Sequence, residues 1–389
     1  GSYSAIVKKE GTDVWAEDEY GKTIAEGEAG VDDASVIHST VDAVYNSGGG
    51  KVFIKKGVYY LDSLIELKNK VSILSEYADL VCRVTQDSFT KGVLYNATER
   101  LENIEIARLR IWSVDKNTVC IRGAFRDSSF HDLVLNHQII LGHIDPDIIS
   151  ETVEIRNIEM LSGLNYDGST WDTLPKGHDA GINIKGKNIT VDTVWLKPKI
   201  SSFEGGHVVN VKPFDTIYST NIVMRNLYIE GAIPEVMHIY AYGTGEADVE
   251  PVFKVENVYY KMTSAPDYGR YATIAFEIVR ADGLTAEIGQ WTFENVTVDC
   301  TPTPHNFTTT ETFDYDTPTR GYITFKNIRL KESKVLFVYG HADEIKFENV
   351  SVEYSSKFAL GRIFAGRSGE HHIHIKNMKI KQATDSDPY

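Results

Sequence analysis

The sequence predicts an all-β solenoid, in which short strands wind into stacked coils around one core. Three observations support this prediction: a strand–asparagine–strand phrase recurs along the chain, its copies are spaced like single coils, and one amphipathic helix lies near the N-terminus. The 389 residues are 42% hydrophobic and 24% charged, a composition typical of a globular protein. No apolar run is long enough to span a bilayer.

The recurring phrase places two short stretches of alternating apolar and polar residues on either side of an asparagine. Its clearest copies are NIVMRNLYI, VFKVENVYY, QWTFENVTV, YITFKNIRL, EIKFENVSV and HIHIKNMKI, which carry Asn226, Asn257, Asn295, Asn327, Asn349 and Asn377 at intervals of 31, 38, 32, 22 and 28 residues. Earlier copies fit more loosely, with Asn157 or Thr193 at the same position. The alternation has strand periodicity, so each of these residues is predicted at a corner between two strands of a coil.

Asparagine suits such a corner for two physical reasons. Its backbone tolerates the left-handed conformation, and its amide carries both hydrogen-bond donors and an acceptor. Copies stacked at the spacing of neighbouring strands, about 4.8 Å, can therefore bond one above another. We expect a buried amide ladder. A β-sandwich with asparagine in its turns would not need the same phrase at solenoid spacing.

The N-terminal segment DDASVIHSTVDAVYNSGGG predicts a helix over about residues 32–46, with Asp32 or Asp33 as N-cap and a glycine stop. One helical face carries Val36, Ile37, Val41 and Val44. An amphipathic helix of this kind can close the open end of a solenoid core. Three closely spaced strand segments follow it.

The run from Asp32 to Glu76 resembles the opening of pectate-lyase-like right-handed parallel β-helix proteins, a superfamily that includes polysaccharide lyases, polygalacturonase-type hydrolases, epimerases and phage tailspikes. The resemblance implies a single-stranded right-handed parallel β-helix with an N-terminal capping helix. We predict a small β-meander over residues 1–30, the β-helix over 31–382 and a frayed tail over 383–389. The resemblance also implies a secreted, extracellular or virion-surface protein with a polysaccharide partner, and it leaves monomer and homotrimer open.

Net charge and cysteine content exclude several other classes of protein. The formal charge of −15 argues against a general nucleic-acid binder. Three scattered cysteines are too few for a disulfide scaffold or a zinc knuckle. No membrane partner, metal-ligand set or organic cofactor is predicted, and calcium is implied only if the protein is a lyase.

A row of outward-pointing polar residues is predicted on the strand that precedes each asparagine phrase. In the superfamily that strand borders the groove, and alternation then decides which side chains point out. The predicted substrate-binding residues on or next to this row are Asn183, Asn210, His238, Glu277, Lys185 and Lys212, with Arg122 on an earlier coil. Insertions beside the row add Tyr166 and Trp171, aromatic rings on which a sugar can stack, and Arg280 follows one strand.

Two segments resemble strand entries of polygalacturonase-type hydrolases: HDAGINI at residues 178–184 and GGHVVNV at residues 205–211. The resemblance implies Asp179 as a catalytic-strand aspartate and His207 as the active-site histidine. Glu204, close to His207 in sequence, is the second candidate carboxylate. Asp179 and Glu204 would act as acid and base, with His207 positioning or tuning one of them. If this pair fails, Glu277 with Glu235 is next.

The sequence departs from the hydrolase pattern, which keeps other functions open. It has no Asp-Asp pair between the two segments and no Arg-x-Lys motif after them, and an alanine follows Asp179. We expect an extracellular glycoside hydrolase that cleaves a polysaccharide with two carboxylates. One alternative is a lyase that neutralises a uronate with calcium, arginine or lysine. The other is a non-catalytic glycan-binding adhesin or tailspike.

Overall fold

The computed structural model describes most of the chain and divides it into two compact units. The described residues are 2–87, 90–172, 179–200, 207–211, 219–242, 251–266, 272–279, 286–312, 319–340, 343–355, 360–365 and 372–382, excluding the side chains of 179, 242, 278–279, 286–287, 309–312, 319–320, 335–340, 360–365 and 382. The first unit comprises residues 1–172 and 181–201, and the second comprises 173–180 and 202–389. Within the described ranges, no helix has the length and apolarity needed to cross a membrane.

The predicted N-terminal meander is present as three antiparallel strands. They are β1 (Ala5–Glu10), β2 (Asp13–Asp18) and β3 (Thr23–Glu28). Gly21, in the turn between β2 and β3, has a φ of 81°, and its N–H donates to the Asp18 carbonyl. Strand β1 also pairs in parallel with β4 (Gly50–Ile54), so the meander continues into the first coil.

The predicted helix is also present, as α1 (Asp33–Asn46). All four residues of its predicted apolar face, Val36, Ile37, Val41 and Val44, are buried. The buried Asp33 carboxylate accepts hydrogen bonds from Tyr60 N and Lys9 Nζ, both at 2.7 Å. It therefore ties the helix start to both the first coil and the meander. After the helix, Gly49 has a φ of 102°, and a Cβ there would lie 2.6 Å from the Lys70 carbonyl oxygen.

After the meander and the helix, the first unit continues as successive coils whose strands pair in parallel. Its remaining strands are β5 (Val58–Leu61), β6 (Ile65–Glu66), β7 (Val71–Cys82), β8 (Gly92–Glu102), β9 (Glu105–Trp112), β10 (Val119–Leu135), β11 (Ile139–Leu141), β12 (Ser150–Met160), β13 (Asp179–Ile184, of which residues 181–184 belong here) and β14 (Gly186–Leu196). Their pairings, among them β7–β9, β10–β12, β11–β13 and β12–β14, are parallel.

The second unit contains two ladders of parallel strands. Its strands are β15 (His207–Val211), β16 (Thr220–Gly231), β17 (Glu235–Tyr242), β18 (Val252–Met262), β19 (Ala272–Val279), β20 (Ala286–Asp299), β21 (His305–Thr312), β22 (Thr319–Lys331), β23 (Ser333–Gly340), β24 (Glu344–Tyr354), β25 (Leu360–Ala365) and β26 (His372–Gln382). Odd-numbered strands pair with odd and even with even, as expected when each coil supplies one strand to each ladder. The prediction of a right-handed parallel β-helix is confirmed.

Aromatic rings stacked from coil to coil fill part of the core of the second unit. Phe293 and Phe325 stack with their ring centroids 5.2 Å apart, and Phe325 stacks on Phe347 at the same distance. Phe253 stacks on Trp291 at 4.1 Å. Because parallel coils place equivalent positions one above another, a single apolar position in the repeat produces a continuous ring column.

The predicted amide ladder exists, but it lies at the surface. The six repeat asparagines, Asn226, Asn257, Asn295, Asn327, Asn349 and Asn377, have φ between 55° and 58°. From Asn257 onward, each Nδ2 donates to Oδ1 of the preceding rung at 3.0–3.2 Å. Four of the rungs are exposed and two are half-buried. The expectation of a buried ladder is therefore wrong. The left-handed corner adds one residue to the strand alternation, so Glu294 and Asn295 both face outward between the buried Phe293 and Val296.

The first unit has the same corner with a different set of side chains. The residues there are Tyr77, Arg108, Asp132, Asn157 and Thr193, with φ between 55° and 66°. Asn157 Nδ2 donates to Asp132 Oδ1, which continues the ladder across one coil. Thr193 Oγ1 instead bonds its neighbour Asp192 Oδ1 at 2.8 Å. The backbone thus keeps the left-handed corner even where the side chain is not asparagine.

Candidate functional site

The candidate site lies in the second unit, on the outward face of strands β15, β17 and β19. We call these three strands the site sheet. Val209, Met237 and Ile274 are aligned in neighbouring strands and buried in the core. Alternation therefore turns Asn210 and His238, which are aligned with each other, to the opposite face. This matches the direction predicted from the sequence.

Glu277 occupies the next outward position of β19 and turns back toward His238. Its Cα is aligned with Tyr240, two residues beyond His238. Nevertheless Glu277 Oε2 lies 2.8 Å from His238 Nε2. The His238 side chain is 8% exposed and that of Glu277 is 21% exposed. The carboxylate therefore reaches solvent while the imidazole is enclosed.

A second imidazole–carboxylate pair lies beside the first. His207 and Glu235 open strands β15 and β17 in register, and Glu235 Oε2 lies 2.7 Å from His207 Nδ1. The two imidazole rings, His207 and His238, have centroids 3.8 Å apart. Two carboxylates and two imidazoles therefore form one connected cluster, which we call the His–Glu cluster: His207, Glu235, His238 and Glu277.

Oδ1 of Asn210 and Nδ1 of His238 are among the polar atoms of the site sheet that are buried without a hydrogen-bond partner in the described residues. Buried polar atoms in folded proteins are nearly always satisfied, and exceptions call for an explanation such as a bound ligand or ion. One ligand atom each from His207, Glu235 and His238 lies within 4.8 Å of the others, which makes these three a candidate metal centre.

His305 lies close to the cluster on strand β21. It is 2% exposed, and its Nε2 lies 2.9 Å from the Pro234 carbonyl oxygen, so Nε2–H donates to that carbonyl. Burial lowers the pKa of the His305 imidazole to about 4, while Pro234 and Glu235 oppose the shift. The ring is therefore neutral over the whole physiological pH range.

In the first unit, the predicted residues Asn183 and Arg122 lie in one row of aligned strand positions. Asn183 is aligned with Ile140, and Ile140 with Arg122. The Lys185 side chain is buried, and its Nζ donates to the Pro146 carbonyl at 2.8 Å. This ammonium group is engaged by backbone, so Lys185 contributes to holding the 145–148 turn. Asn183 keeps its predicted outward position.

The two predicted sugar-stacking aromatics differ in exposure. Trp171 is 9% exposed, its Nε1 donates to Asn165 Oδ1 at 2.8 Å, and its ring packs edge-on against His137. Tyr166 is 41% exposed and packs against Trp112 with ring centroids 5.6 Å apart. Of the two rings, Tyr166 is the one that a sugar could reach.

The side chains of four predicted site residues lie outside the described part of the chain. Asp179 begins β13, but its side chain lies outside the described residues. Glu204, Lys212 and Arg280 lie outside them entirely. The Asp179–Glu204 acid–base pair therefore stays a prediction.

Strand β21 is not predicted from the sequence, and Glu235 is predicted only as an alternative to Asp179 and Glu204. The strand contains HNFTTTET, a polar sequence without the apolar alternation by which the other strands were found. A signal was available, because the 32 residues between Asn295 and Asn327 leave room for a whole coil and therefore require such a strand. Glu235 directly follows a proline at a strand start, where alternation does not fix the direction of a side chain.

Comparison with known proteins finds similar folds among solved structures. No protein-family model matches the chain, and no curated protein matches it. Among solved structures, an exopolygalacturonase from Thermotoga maritima is similar over 90% of this chain and 88% of its own, with 12% identity and a TM-score of 0.47. The Streptococcus pneumoniae adhesin PfbA covers 92% and 97%, with 13% identity and a TM-score of 0.40. The tailspike of Escherichia coli bacteriophage HK620 covers 92% and 77%, with 11% identity and a TM-score of 0.45.

Proposed function

We propose that this protein is an extracellular carbohydrate-active enzyme that hydrolyses glycosidic bonds of a polysaccharide at the His–Glu cluster. The observation that carries the proposal is the pairing of two carboxylates with two imidazoles on the outward face of one sheet, at 2.7 and 2.8 Å. Glycoside hydrolysis needs one carboxyl group that protonates the leaving oxygen and a second that assists water or attacks the sugar. Glu235 and Glu277 supply both.

The environment of the cluster suits proton transfer. Each glutamate is less than one-quarter exposed, and each faces an imidazole that is about one-tenth exposed. In such enclosed surroundings electrostatic interactions are stronger than in water, because few solvent dipoles screen them. A protonated imidazole stabilises the ionised carboxylate beside it, and a neutral one can accept a proton from it. The histidines thereby tune the glutamates, which is the role that the family resemblance implies for His207.

Hydrolysis can be tested with a polysaccharide panel, with and without EDTA. We expect new reducing ends without the absorbance near 235 nm that unsaturated lyase products show. Glu235→Gln and Glu277→Gln should each lower kcat by about 100-fold or more, the usual contribution of a general acid or base. Asp179→Asn and Glu204→Gln, the pair predicted from sequence, should be assayed beside them.

The matched control is Glu256→Gln on strand β18. Glu256 also pairs with a basic side chain, Lys254, at 2.7 Å, but on the other ladder of the same unit. It should keep the parent kcat. Full turnover in both Glu235→Gln and Glu277→Gln would contradict the assignment, whereas absorbance abolished by EDTA would indicate a calcium lyase. Glycan binding without any cleavage would indicate an adhesin instead.

A further inference from the structure

We propose that His207, Glu235 and His238 form a binding site for one divalent transition-metal ion of the Zn²⁺ type. Among the described His, Cys, Asp and Glu residues, these are the one group of three whose ligand atoms converge. Three atoms within 4.8 Å of one another all lie within about 2.8 Å of a common point, and zinc binds nitrogen and oxygen at about 2.0–2.2 Å. A movement of less than about 1 Å per side chain would complete the coordination.

The second observation is the state of the His238 imidazole. Its Nε2 is held by Glu277 Oε2 at 2.8 Å, whereas its Nδ1 is buried and has no hydrogen-bond partner in the described part of the chain. If Nε2 carries the proton and donates it to Glu277, Nδ1 presents a lone pair. Metal-binding histidines typically donate their other ring N–H to a carboxylate in this way, which fixes the ring and its tautomer. Glu277 therefore acts as a positioning residue for His238.

Ligand chemistry indicates which ion would bind. Two imidazole nitrogens and one carboxylate oxygen are a common zinc ligand set, and a site with three protein ligands leaves a coordination position open for water or substrate. Calcium takes six to eight oxygen ligands, and magnesium demands an octahedral oxygen shell. The cluster offers neither. A divalent ion would also balance the two glutamate charges that are gathered at the cluster.

This inference goes beyond the proposed function and departs from the sequence-based expectation that the chain has no metal ligands. Because a Glu235 carboxylate bound to the ion could not act as general acid or base, hydrolysis by the glutamate pair is expected of the metal-free chain. Binding can be measured without substrate. Failure to bind metal would thus leave the test of hydrolysis intact, and failure to cleave polysaccharide would leave the test of metal binding intact.

The test uses the full chain, freed of metal with EDTA and dialysed. Calorimetric titration with Zn²⁺ should give one tight site per chain, and titration with Co²⁺ should produce the visible absorption bands of a low-coordinate site. Ca²⁺ and Mg²⁺ should not compete. His238→Gln should abolish the tight site, and Glu277→Gln should weaken it by about 10- to 100-fold, as expected for a partner of a ligand.

The control is His374→Gln, which removes an exposed histidine that lies 3.1 Å from Glu344 on the other ladder. It should leave the titration unchanged. The proposal is overturned if the parent chain binds no Zn²⁺, if Ca²⁺ or Mg²⁺ displaces it, or if His238→Gln keeps the tight site. Circular dichroism of each variant checks that it folds; should His238→Gln not fold, Glu235→Gln takes its place with the same expectation.

Discussion

Two columns of polar side chains run from coil to coil in the second unit, and they differ in whether the same residue is repeated. The amide ladder repeats one residue at φ of 55–58°, and each amide bonds the next. The His–Glu cluster instead pairs unlike residues, because an imidazole on one strand contacts a carboxylate on the neighbouring strand. The ladder satisfies its own groups. The cluster leaves His238 Nδ1 buried without a partner among the described residues.

This contrast distinguishes the structural ladder from the cluster for which we propose a function. An identical residue in each coil marks a requirement that every coil shares, here a left-handed corner. A column whose residues differ from coil to coil meets a requirement that the coils do not share, such as contact with a bound ligand. Variants of the ladder should therefore change the stability of the fold, and variants of the cluster should change binding and turnover.

The largest effect is expected from Asn295→Ala in the middle of the ladder. The change removes the hydrogen bond that Asn295 donates to Asn257 and the one that it accepts from Asn327. It also places alanine, which has no polar side chain to favour it there, in the left-handed region. With about 1 kcal/mol per bond and 1–2 kcal/mol for the backbone, the free energy of unfolding should fall by about 3 kcal/mol.

Asn295→Gly is the matched comparison, because glycine keeps the left-handed backbone and loses only the amide. It should cost roughly half as much. Urea denaturation of the two variants measures the difference. Equal losses would mean that the corner conformation itself contributes nothing, contrary to the interpretation of the ladder.

A smaller loss of stability is expected on acidification, because acid protonates His305 near the His–Glu cluster but does not change the amides of the ladder. The pKa of buried His305 is lowered to about 4, so the unfolded chain binds a proton more readily below pH 6.5 than the folded chain does. The contribution of His305 is therefore complete above pH 6.5 and declines as the pH falls toward 4. Between pH 6.5 and about pH 5 this costs about 2 kcal/mol.

His305→Gln keeps a donor that can reach the Pro234 carbonyl but cannot titrate. Its free energy of unfolding should depend less steeply on pH over this window than that of the parent chain, as measured by urea denaturation at several pH values in metal-free buffer. The exposed-histidine variant His374→Gln should retain the parental slope. A parental slope in His305→Gln would show that other groups cause the acid sensitivity.

The smallest effect is a gain in stability at the corner of the first unit. Thr193 is β-branched and has a φ of 59°, which is unfavourable for such a side chain. Thr193→Asn relieves this strain and places an amide next to Asn157 in the column. We expect about 1 kcal/mol of added stability. Thr190→Asn, on the same strand but without positive φ, should give no gain, and a gain there would remove the conformational explanation.

The sequence by itself determined the coil architecture. Periodic alternation, asparagine corners and the apolar face of helix α1 all express local rules: strand period, left-handed tolerance and amphipathicity. The outward direction of Asn210 and His238 followed from the same alternation. These features could be predicted because each depends on residues that are close together in the chain.

Tertiary structure alone decided the contacts that make a site. His207, Glu235, His238 and Glu277 meet through the register of three strands that are separated by insertions of unequal length. Likewise, only the folded chain shows that the Trp171 ring is buried and that the amide ladder faces solvent. The physical reason is that side-chain convergence and burial depend on which coils become neighbours and how each side chain turns, and sequence alternation fixes a face of the sheet but not a partner.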